Sequence, residues 1–232
     1  TRDSIGTYVD RDGLIKTASN NVPRVDFLDN ADGALLLEPQ RTNLVTYSED
    51  FSQWLGGGIN ITANDVISPD GGLNADKVES TNSFFGKYIQ PTISSGVDYT
   101  ASVFVKNATD NNSITLRLLL GTNDTRYIFN TSNLTVTAVP GYTSGFVNSN
   151  IENYGNGWYK CSLTTTSNGT SSVFAIYPKI LTNADTESAN LWGAQLEQAS
   201  YATSYIPTSG STVERVADGP TNLSTPQTLS DF

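Results

Sequence analysis

The stretch Tyr99-Thr100-Ala101-Ser102-Val103-Phe104-Val105-Lys106 alternates small or branched apolar side chains with larger or polar ones. A second stretch, Ser113-Ile114-Thr115-Leu116-Arg117-Leu118-Leu119-Leu120, repeats this alternation. Successive side chains of a β-strand point to opposite faces of the sheet, so both stretches predict strands with one face in a core. The expected inward sets are Ala101, Val103 and Val105 in the first strand and Ile114, Leu116, Leu118 and Leu120 in the second.

Further strand candidates occur at short intervals between turn-forming residues. They are Lys77–Glu79, Phe85–Ile89, Thr125–Asn130, Trp158–Thr166, Ser172–Tyr177 and Ala189–Leu196. No window of a dozen residues has a convincing helical period, and the one short helical candidate, 47–54, would be capped by Ser48. The sequence therefore predicts an all-β fold, an antiparallel β-sandwich of the jelly-roll type.

The two ends of the chain differ in character from this main body, which we assign to residues 41–208. Residues 1–40 are interpreted as an N-terminal collar of short hairpins, packed on the body or on a neighbouring subunit. Its first hairpin turns at Asp12-Gly13, and residues 34–38 predict a buried strand. Residues 209–232 contain Pro and many small polar residues, which predicts a linker or an extended C-terminal arm.

Composition and charge exclude several classes of function. The 232 residues are 37% hydrophobic and 16% charged, with a net charge of −10. A field of this sign opposes approach to nucleic acid and to anionic membranes, so we expect no nucleic-acid partner. No apolar stretch approaches the ~20 residues that span a bilayer, so we expect no membrane insertion.

The inventory of reactive side chains argues against an enzyme. The chain has no histidine, which excludes catalytic triads and imidazole metal sites. Its one cysteine, Cys161, alternates with Tyr159 and Leu163 and is interpreted as a buried structural thiol. The 23 Asp and Glu residues leave a carboxylate pair open as a route to glycan hydrolysis or lysis. We expect a non-catalytic protein.

Several blocks of the sequence resemble a known family. They are Gly33 to Trp54, Ser68-Pro69-Asp70-Gly71-Gly72, Gly157 to Ser162, Leu191-Trp192-Gly193-Ala194-Gln195-Leu196-Glu197 and Ala202 to Thr208. Together they resemble the carbohydrate-binding-module-like jelly-roll domain of bacteriophage tail-fibre, tail-spike and head-fibre proteins. The resemblance covers nearly the whole chain to about residue 218.

This resemblance implies a module on the phage virion, in a tail fibre or spike, that binds glycans of a host or bacterial surface polysaccharide. It further implies other phage tail proteins as partners and a homotrimer. Two alternatives stay open: a purely structural or trimerisation module without sugar binding, and a module appended to a polysaccharide-degrading enzyme.

The resemblance also raises one metal question. Jelly-roll binding modules often hold a structural calcium ion near the start of the body, where this chain has Glu49 and Asp50. The alternative, which the sequence favours, is that these are acids at the start of a helical turn. No cofactor is required by either interpretation.

A sugar would stack on aromatic rings that point out of the core. The outward set of residues 99–106 includes Phe104 and Lys106, and Arg117 points outward from residues 113–120, so the three are expected to share one exposed face. The candidate carbohydrate-binding residues are Phe104, Lys106, Arg117, Tyr127, Tyr177 and Trp54.

Packing is the competing interpretation for these aromatic residues. Phe104 could instead meet the collar or a neighbouring subunit, and Trp54 could cover a sandwich edge. The orientations of Tyr127 and Tyr177 stay open because their strands are ambiguous, and both inward sets of Thr125–Asn130 are tolerable. Trp158 and Trp192 are interpreted as core or rim residues.

Overall fold

The computed structural model describes residues 2–81, 86–107, 112–178 and 187–219. Its strands are β1 (Gly6–Val9), β2 (Ile15–Ala18), β3 (Val25–Asp26), β4 (Ala34–Leu35), β5 (Arg41–Asn43), β6 (Ile59–Ile67), β7 (Leu73–Ser80), β8 (Lys87–Ile89), β9 (Asp98–Asn107), β10 (Ser113–Leu120), β11 (Asn123–Asn130), β12 (Thr135–Thr143), β13 (Phe146–Asn153), β14 (Tyr159–Thr166), β15 (Ser172–Tyr177), β16 (Glu187–Glu197) and β17 (Val213–Arg215). A 3₁₀ turn, Phe51–Gln53, is the one helical element in these ranges.

Two antiparallel sheets form the body. One has five strands in the order β12-β11-β10-β15-β8, and the other has six in the order β13-β14-β9-β16-β7-β6. Their facing side chains form one hydrophobic core, which contains the predicted inward sets of β9 and β10. The predicted all-β sandwich is confirmed, and so is the burial of Cys161 in its core. Within the described ranges, no helix combines the length and apolar character needed to cross a membrane.

Three strands of the body carry no clear signal in the sequence. They are β6, β12 and β13, and each lies at the edge of a sheet, where most of its side chains are exposed. An exposed edge strand needs no apolar face, so hydrophobic alternation does not reveal it. Of the predicted strand Phe85–Ile89, the structure has Lys87–Ile89, and Phe85 lies outside the described residues.

The short turn before β6 differs from the prediction. It is capped by Asp50, whose side chain accepts a hydrogen bond from the Ser52 amide at 3.0 Å. Ser48, the predicted cap, is instead fully buried, where its hydroxyl accepts a bond from the Thr208 amide at 2.8 Å. Ser48 therefore fastens the start of the body to the segment after β16.

The N-terminal collar packs on the outer face of the six-stranded sheet. Its first hairpin pairs β1 with β2 through the predicted turn, in which Gly13 has a φ of +77°. Val9 and Ile15 from this hairpin join a second hydrophobic cluster on that face. The prediction of a buried strand at residues 34–38 is wrong, because Leu35 and Leu37 are 58% and 63% exposed.

A buried ion network joins the collar to the C-terminal part of the chain. Arg2 pairs with Asp218 at 2.9 Å, and Arg24 bridges Asp218 and Glu38, the latter at 2.7 Å. Arg215 pairs with the same Glu38 oxygen at 2.9 Å. All three guanidinium groups are buried, and such charges are tolerated only where they are paired and hydrogen-bonded.

The C-terminal strand β17 also helps to join the two ends of the chain. It pairs with β5, with Val213 opposite Asn43 and Arg215 opposite Arg41. The chain from Val213 onward is therefore paired with the body, where composition predicted a linker or an extended arm, and residues 209–212 are exposed. The remainder of that predicted arm, residues 220–232, lies outside the described residues.

Breaking this network should unfold the protein more readily. Replacing Asp218→Asn leaves Arg2 buried without its charge partner and removes one of the two partners of Arg24, which costs about 3–5 kcal/mol. Chemical denaturation measures the loss of unfolding free energy. The control is Glu79→Gln in the Lys77–Glu79 pair, where both side chains are 31% exposed, and it should change stability by less than about 1 kcal/mol. Equal effects of the two substitutions would contradict the role of the network.

The network also predicts a pH dependence. Burial alone would raise the pKa of Glu38, but the charge of Arg215 and hydrogen bonds from Ser204 outweigh it and hold the pKa below 4.5. The contribution of Glu38 is therefore complete above pH 4.5 and is lost as pH falls through the lower folded-state pKa. Thermal unfolding at several pH values should show Glu38→Gln less stable than the natural chain at neutral pH, with the two converging on acidification. If the stabilities of the two proteins differ by the same amount at every pH, the predicted contribution of the Glu38 charge is refuted.

Candidate functional site

A row of outward-facing side chains crosses the five-stranded sheet. Tyr88 of β8 lies opposite Ala175 of β15, Ala175 lies opposite Arg117 of β10, and Arg117 lies opposite Arg126 of β11. Neighbouring strands are about 4.8 Å apart, so the row runs across four strands, perpendicular to them. The collar packs on the other sheet, so it does not cover this face.

One carboxylate holds the two arginines of this row together. Asp124 accepts hydrogen bonds from Nε of Arg117 and of Arg126, each at 3.0 Å, on one oxygen. Its other oxygen accepts from their Nη2 atoms at 2.9 and 2.7 Å. Like charges directly opposite on neighbouring strands repel, and the bidentate pairing with one Asp offsets this repulsion. The two guanidinium groups are thus fixed in place while keeping a net charge of one.

Two tyrosines flank this pair. Strand β12 bulges opposite Arg126, and Tyr142 in that bulge lies with its ring centroid 3.6 Å from Cζ of Arg126. Tyr142 is 37% exposed. On the other side, Tyr177 of β15 lies opposite Thr115 of β10, two residues before Arg117. Guanidinium groups stack favourably on aromatic faces, so Tyr142 both orients Arg126 and offers an exposed ring.

The electrostatics keep Asp124 and Arg117 ionised. Burial alone would raise the pKa of Asp124, but hydrogen bonds from Arg126 and Arg117 outweigh it and lower the pKa. Burial alone would lower the pKa of Arg117, but the bonds and charge of Asp124 raise it. The face therefore presents fixed N–H donors beside aromatic rings across the whole neutral pH range.

Two of the six predicted site residues, Arg117 and Tyr177, meet on this face. Phe104 and Lys106 lie on the other sheet, so the prediction that they share an exposed face with Arg117 is wrong. Strands β9 and β10 are consecutive in sequence but belong to opposite layers, and their outward side chains point in opposite directions.

The predicted exposure of Phe104 is also wrong. It is 1% exposed and packs edge-on against Tyr154, Trp192 and Tyr205, with ring centroids 4.8, 5.4 and 6.3 Å away. The collar covers this side of the six-stranded sheet, so both faces of β9 are buried there. Trp158 and Trp192 belong to the same cluster, which confirms their interpretation as core residues.

Trp54 and Tyr127 are corrected in the same way. Trp54 is buried in the main core, where its Nε1 donates to the Tyr47 carbonyl oxygen at 2.9 Å. Tyr127 faces inward and stacks on Phe146 with centroids 4.4 Å apart. Neither ring is presented to solvent as a platform for a sugar.

Sequence reasoning missed four residues of the site: Tyr88, Asp124, Arg126 and Tyr142. The available signal was the pair Asp124 and Arg126, which share a strand face at a spacing of two. It was hidden because either set of side chains in β11 could face the core. Tyr142 had no signal, because a bulge in β12 positions it.

Glu49 and Asp50 line a separate cleft of about 550 Å³ beside Asp76. Glu49 accepts a hydrogen bond from the Tyr205 hydroxyl at 2.7 Å, and Asp76 accepts from two backbone amides, each at 3.1 Å. Burial raises the pKa of both Glu49 and Asp76. Among the described residues, no group of three or more Asp, Glu, His or Cys side chains is placed to hold a metal ion. Calcium near Glu49 and Asp50 stays a prediction.

No protein-family model and no curated protein sequence matches the chain. Among solved structures, it resembles the CBM22-1–GH10 modules of endo-1,4-β-D-xylanase 10B from Clostridium thermocellum, complexed with xylohexaose. That match has a TM-score of 0.39 and 16% identity, and it covers 72% of this chain and 30% of that one. This chain thus corresponds to under a third of the xylanase chain.

Two further structures are similar at the same level. One is the carbohydrate-binding module CBM6cm-2 of Cellvibrio mixtus lichenase 5A with cellotriose, with a TM-score of 0.35, 13% identity and coverage of 71% of this chain and 99% of that one. The other is the enzymatically active domain of bacteriophage CBA120 tailspike protein 4, with a TM-score of 0.36, 12% identity and coverage of 66% and 21%.

The contrast between Phe104 and Lys106 can be measured directly. Phe104→Ala removes a fully buried ring and should lower the free energy of unfolding by about 3–5 kcal/mol. Lys106→Ala, two positions along the same strand face and partly exposed, should change it by less than about 1 kcal/mol. Denaturant titration of both variants is the test, and a stable Phe104→Ala variant would contradict the packing described above.

Proposed function

We propose that the protein is a non-catalytic glycan-binding module whose binding surface is the outer face of the five-stranded sheet. The observation that carries this proposal is the Arg117–Asp124–Arg126 arrangement, flanked by Tyr142 and Tyr177 on a face that the collar leaves open.

The chemistry of this face suits sugars. A pyranose ring has a C–H-rich face that stacks on an aromatic ring, and its hydroxyls need directed polar partners. Tyr142 offers an exposed ring, while the two guanidinium groups have N–H donors beyond those bound to Asp124. Because Asp124 holds both arginines in position, little side-chain freedom is lost when a ligand binds. A flat, pre-ordered surface of this kind favours recognition of an extended glycan chain.

The absence of catalysis is part of the proposal, and the acidic cleft supports it. Both Asp76 oxygens accept hydrogen bonds from backbone amides, and Asp50 caps a turn. Glu49 is bonded to Tyr205 and to Asn74. These carboxylates hold the local backbone and side chains, which accounts for their presence without a hydrolytic role.

We place the module on a phage virion on the strength of the sequence resemblance. In that setting it is part of a tail fibre or spike that recognises bacterial surface polysaccharide. A homotrimer and other phage tail proteins are the partners in this proposal. Weak individual sites gain strength when several copies are presented together.

One observation favours a second function. Leu35 and Leu37 in the collar are 58% and 63% exposed, and both are large hydrophobic side chains. Exposed apolar residues of this size are typical of contact surfaces between proteins. A structural or trimerisation module that binds no sugar would use them as subunit contacts.

A glycan panel separates these two functions. The purified protein is screened against neutral and bacterial polysaccharides, with Arg117→Gln and Tyr177→Ala in parallel. We expect specific binding that each substitution weakens at least about fivefold, since truncating an anchor residue costs more than about 1 kcal/mol.

The control is Lys106→Gln, which removes a cation from the opposite sheet and should leave binding unchanged. Sedimentation of the same samples gives the oligomeric state. An absence of binding across the panel together with a stable trimer would replace the glycan-binding proposal with the structural one.

A further inference from the structure

The collar covers only part of the six-stranded sheet's outer face. Over β13 and β14 an open groove of about 200 Å³ remains, on the side of the molecule opposite the Arg117 face. Its lining is polar, with one ammonium group and one aromatic ring, and includes Asn148, Asn150, Glu152, Lys160, Ser162 and Tyr201. None of the functions derived so far uses this groove.

The floor of the groove carries unused hydrogen-bonding groups. Asn150 and Ser162 lie directly opposite each other on β13 and β14. Neither the Asn150 amide nor the Ser162 hydroxyl has a hydrogen-bond partner among the residues that the structure describes. Beside them, the Thr164 hydroxyl bonds that of Thr100 at 2.8 Å. The floor thus offers an amide and a hydroxyl, groups that can both donate and accept.

One wall of the groove is an exposed aromatic ring on a firmly held segment. Tyr201 is 50% exposed, and the guanidinium of Arg41 lies 5.6 Å from its ring centroid. Two residues later, the Thr203 carbonyl oxygen accepts a bond from buried Lys160 at 2.6 Å, and the Thr203 amide donates to Glu197 at 3.0 Å. The ring is therefore presented from an anchored backbone and can serve as a stacking platform.

The charged groups around the groove are negative on balance. Glu152 and Lys160 both line it and lie directly opposite each other on β13 and β14. Burial raises the pKa of Glu152, the charge of Lys160 lowers it, and Asp29 and Asp26 of the collar raise it further. The three carboxylates outnumber the one lysine. A carboxylate or sulfate on a ligand would meet this negative field together with the net charge of −10. A neutral sugar avoids that repulsion, and its hydroxyls can donate to the Glu152 carboxylate.

We propose that this groove is a second carbohydrate site, specific for a neutral glycan, with Tyr201 as the stacking ring and Asn150, Ser162 and Glu152 as hydroxyl partners. The inference rests on the proposed function in one respect, the class of ligand. The two sites share no residues. The sites lie on the outer faces of opposite sheets, so one short oligosaccharide cannot contact both. The module would therefore bridge two glycan chains.

Nuclear magnetic resonance on the ¹⁵N-labelled protein tests this site by itself. The probes are cellotriose, β-1,4-galactotriose and xylohexaose, each titrated separately. With at least one probe, the side-chain amide signals of Asn150 should shift and saturate. The same shifts should persist in Arg117→Gln, in which the first site is impaired.

Two substitutions of Tyr201 define the stacking role. Tyr201→Ala should weaken binding at the groove at least about tenfold, as for other aromatic anchors. Tyr201→Phe keeps the ring and should stay within about twofold. Backbone amide spectra of both variants verify that the fold is intact.

The outcomes separate the two proposals. Shifts confined to the Arg117 face, and lost in Arg117→Gln, would overturn the second site and leave the proposed function standing. Shifts confined to the groove would leave the second site standing and refute the first. An absence of shifts at the groove with all three probes overturns the inference.

Discussion

The structure depends on the burial of three arginines at the junction of the two chain ends. Arg2, Arg24 and Arg215 are removed from water, and their charges are tolerated only because Glu38 and Asp218 lie within bonding distance. Those partners come from distant parts of the sequence, so the junction forms only when collar, body and β17 are all in place. Once formed, it holds the collar over the six-stranded sheet. The part of that face over β9 and β16 thereby becomes interior, while the collar does not cover the five-stranded sheet.

Sequence reasoning succeeded where one physical rule decided the outcome. The alternation in β9 and β10 identified both strands and their inward faces, because burial on one side is what alternation reports. The same rule failed for Phe104. It assumes that the second face of the strand is exposed to solvent, but the collar buries that face of β9. The residue pattern of one strand does not show that a segment distant in the sequence will cover its sheet.

The candidate site shows a similar division. Arg117 could be placed because its strand has an unambiguous inward set, whereas the orientation of Tyr177 stayed open. Tyr127 could not, because both faces of β11 are compatible with burial. Tyr142 depends on a bulge whose geometry comes from the pairing of β11 and β12, and Asp124 gains its role only when Arg117 is brought beside it. Pairwise contacts between strands, and not local pattern, create this site.

The contact between Arg2 and Asp218 has a mechanical consequence. When the module is held at both ends of its described chain, the points of attachment lie beside each other at one corner. A pulling force applied between them passes through the ion network and the short β5–β17 pair, and it does not travel along the long strands of the two sheets. The ion network and the β5–β17 pair therefore bear the pulling force. The two sheets of the sandwich then carry little of the force, so their outer faces keep their shape.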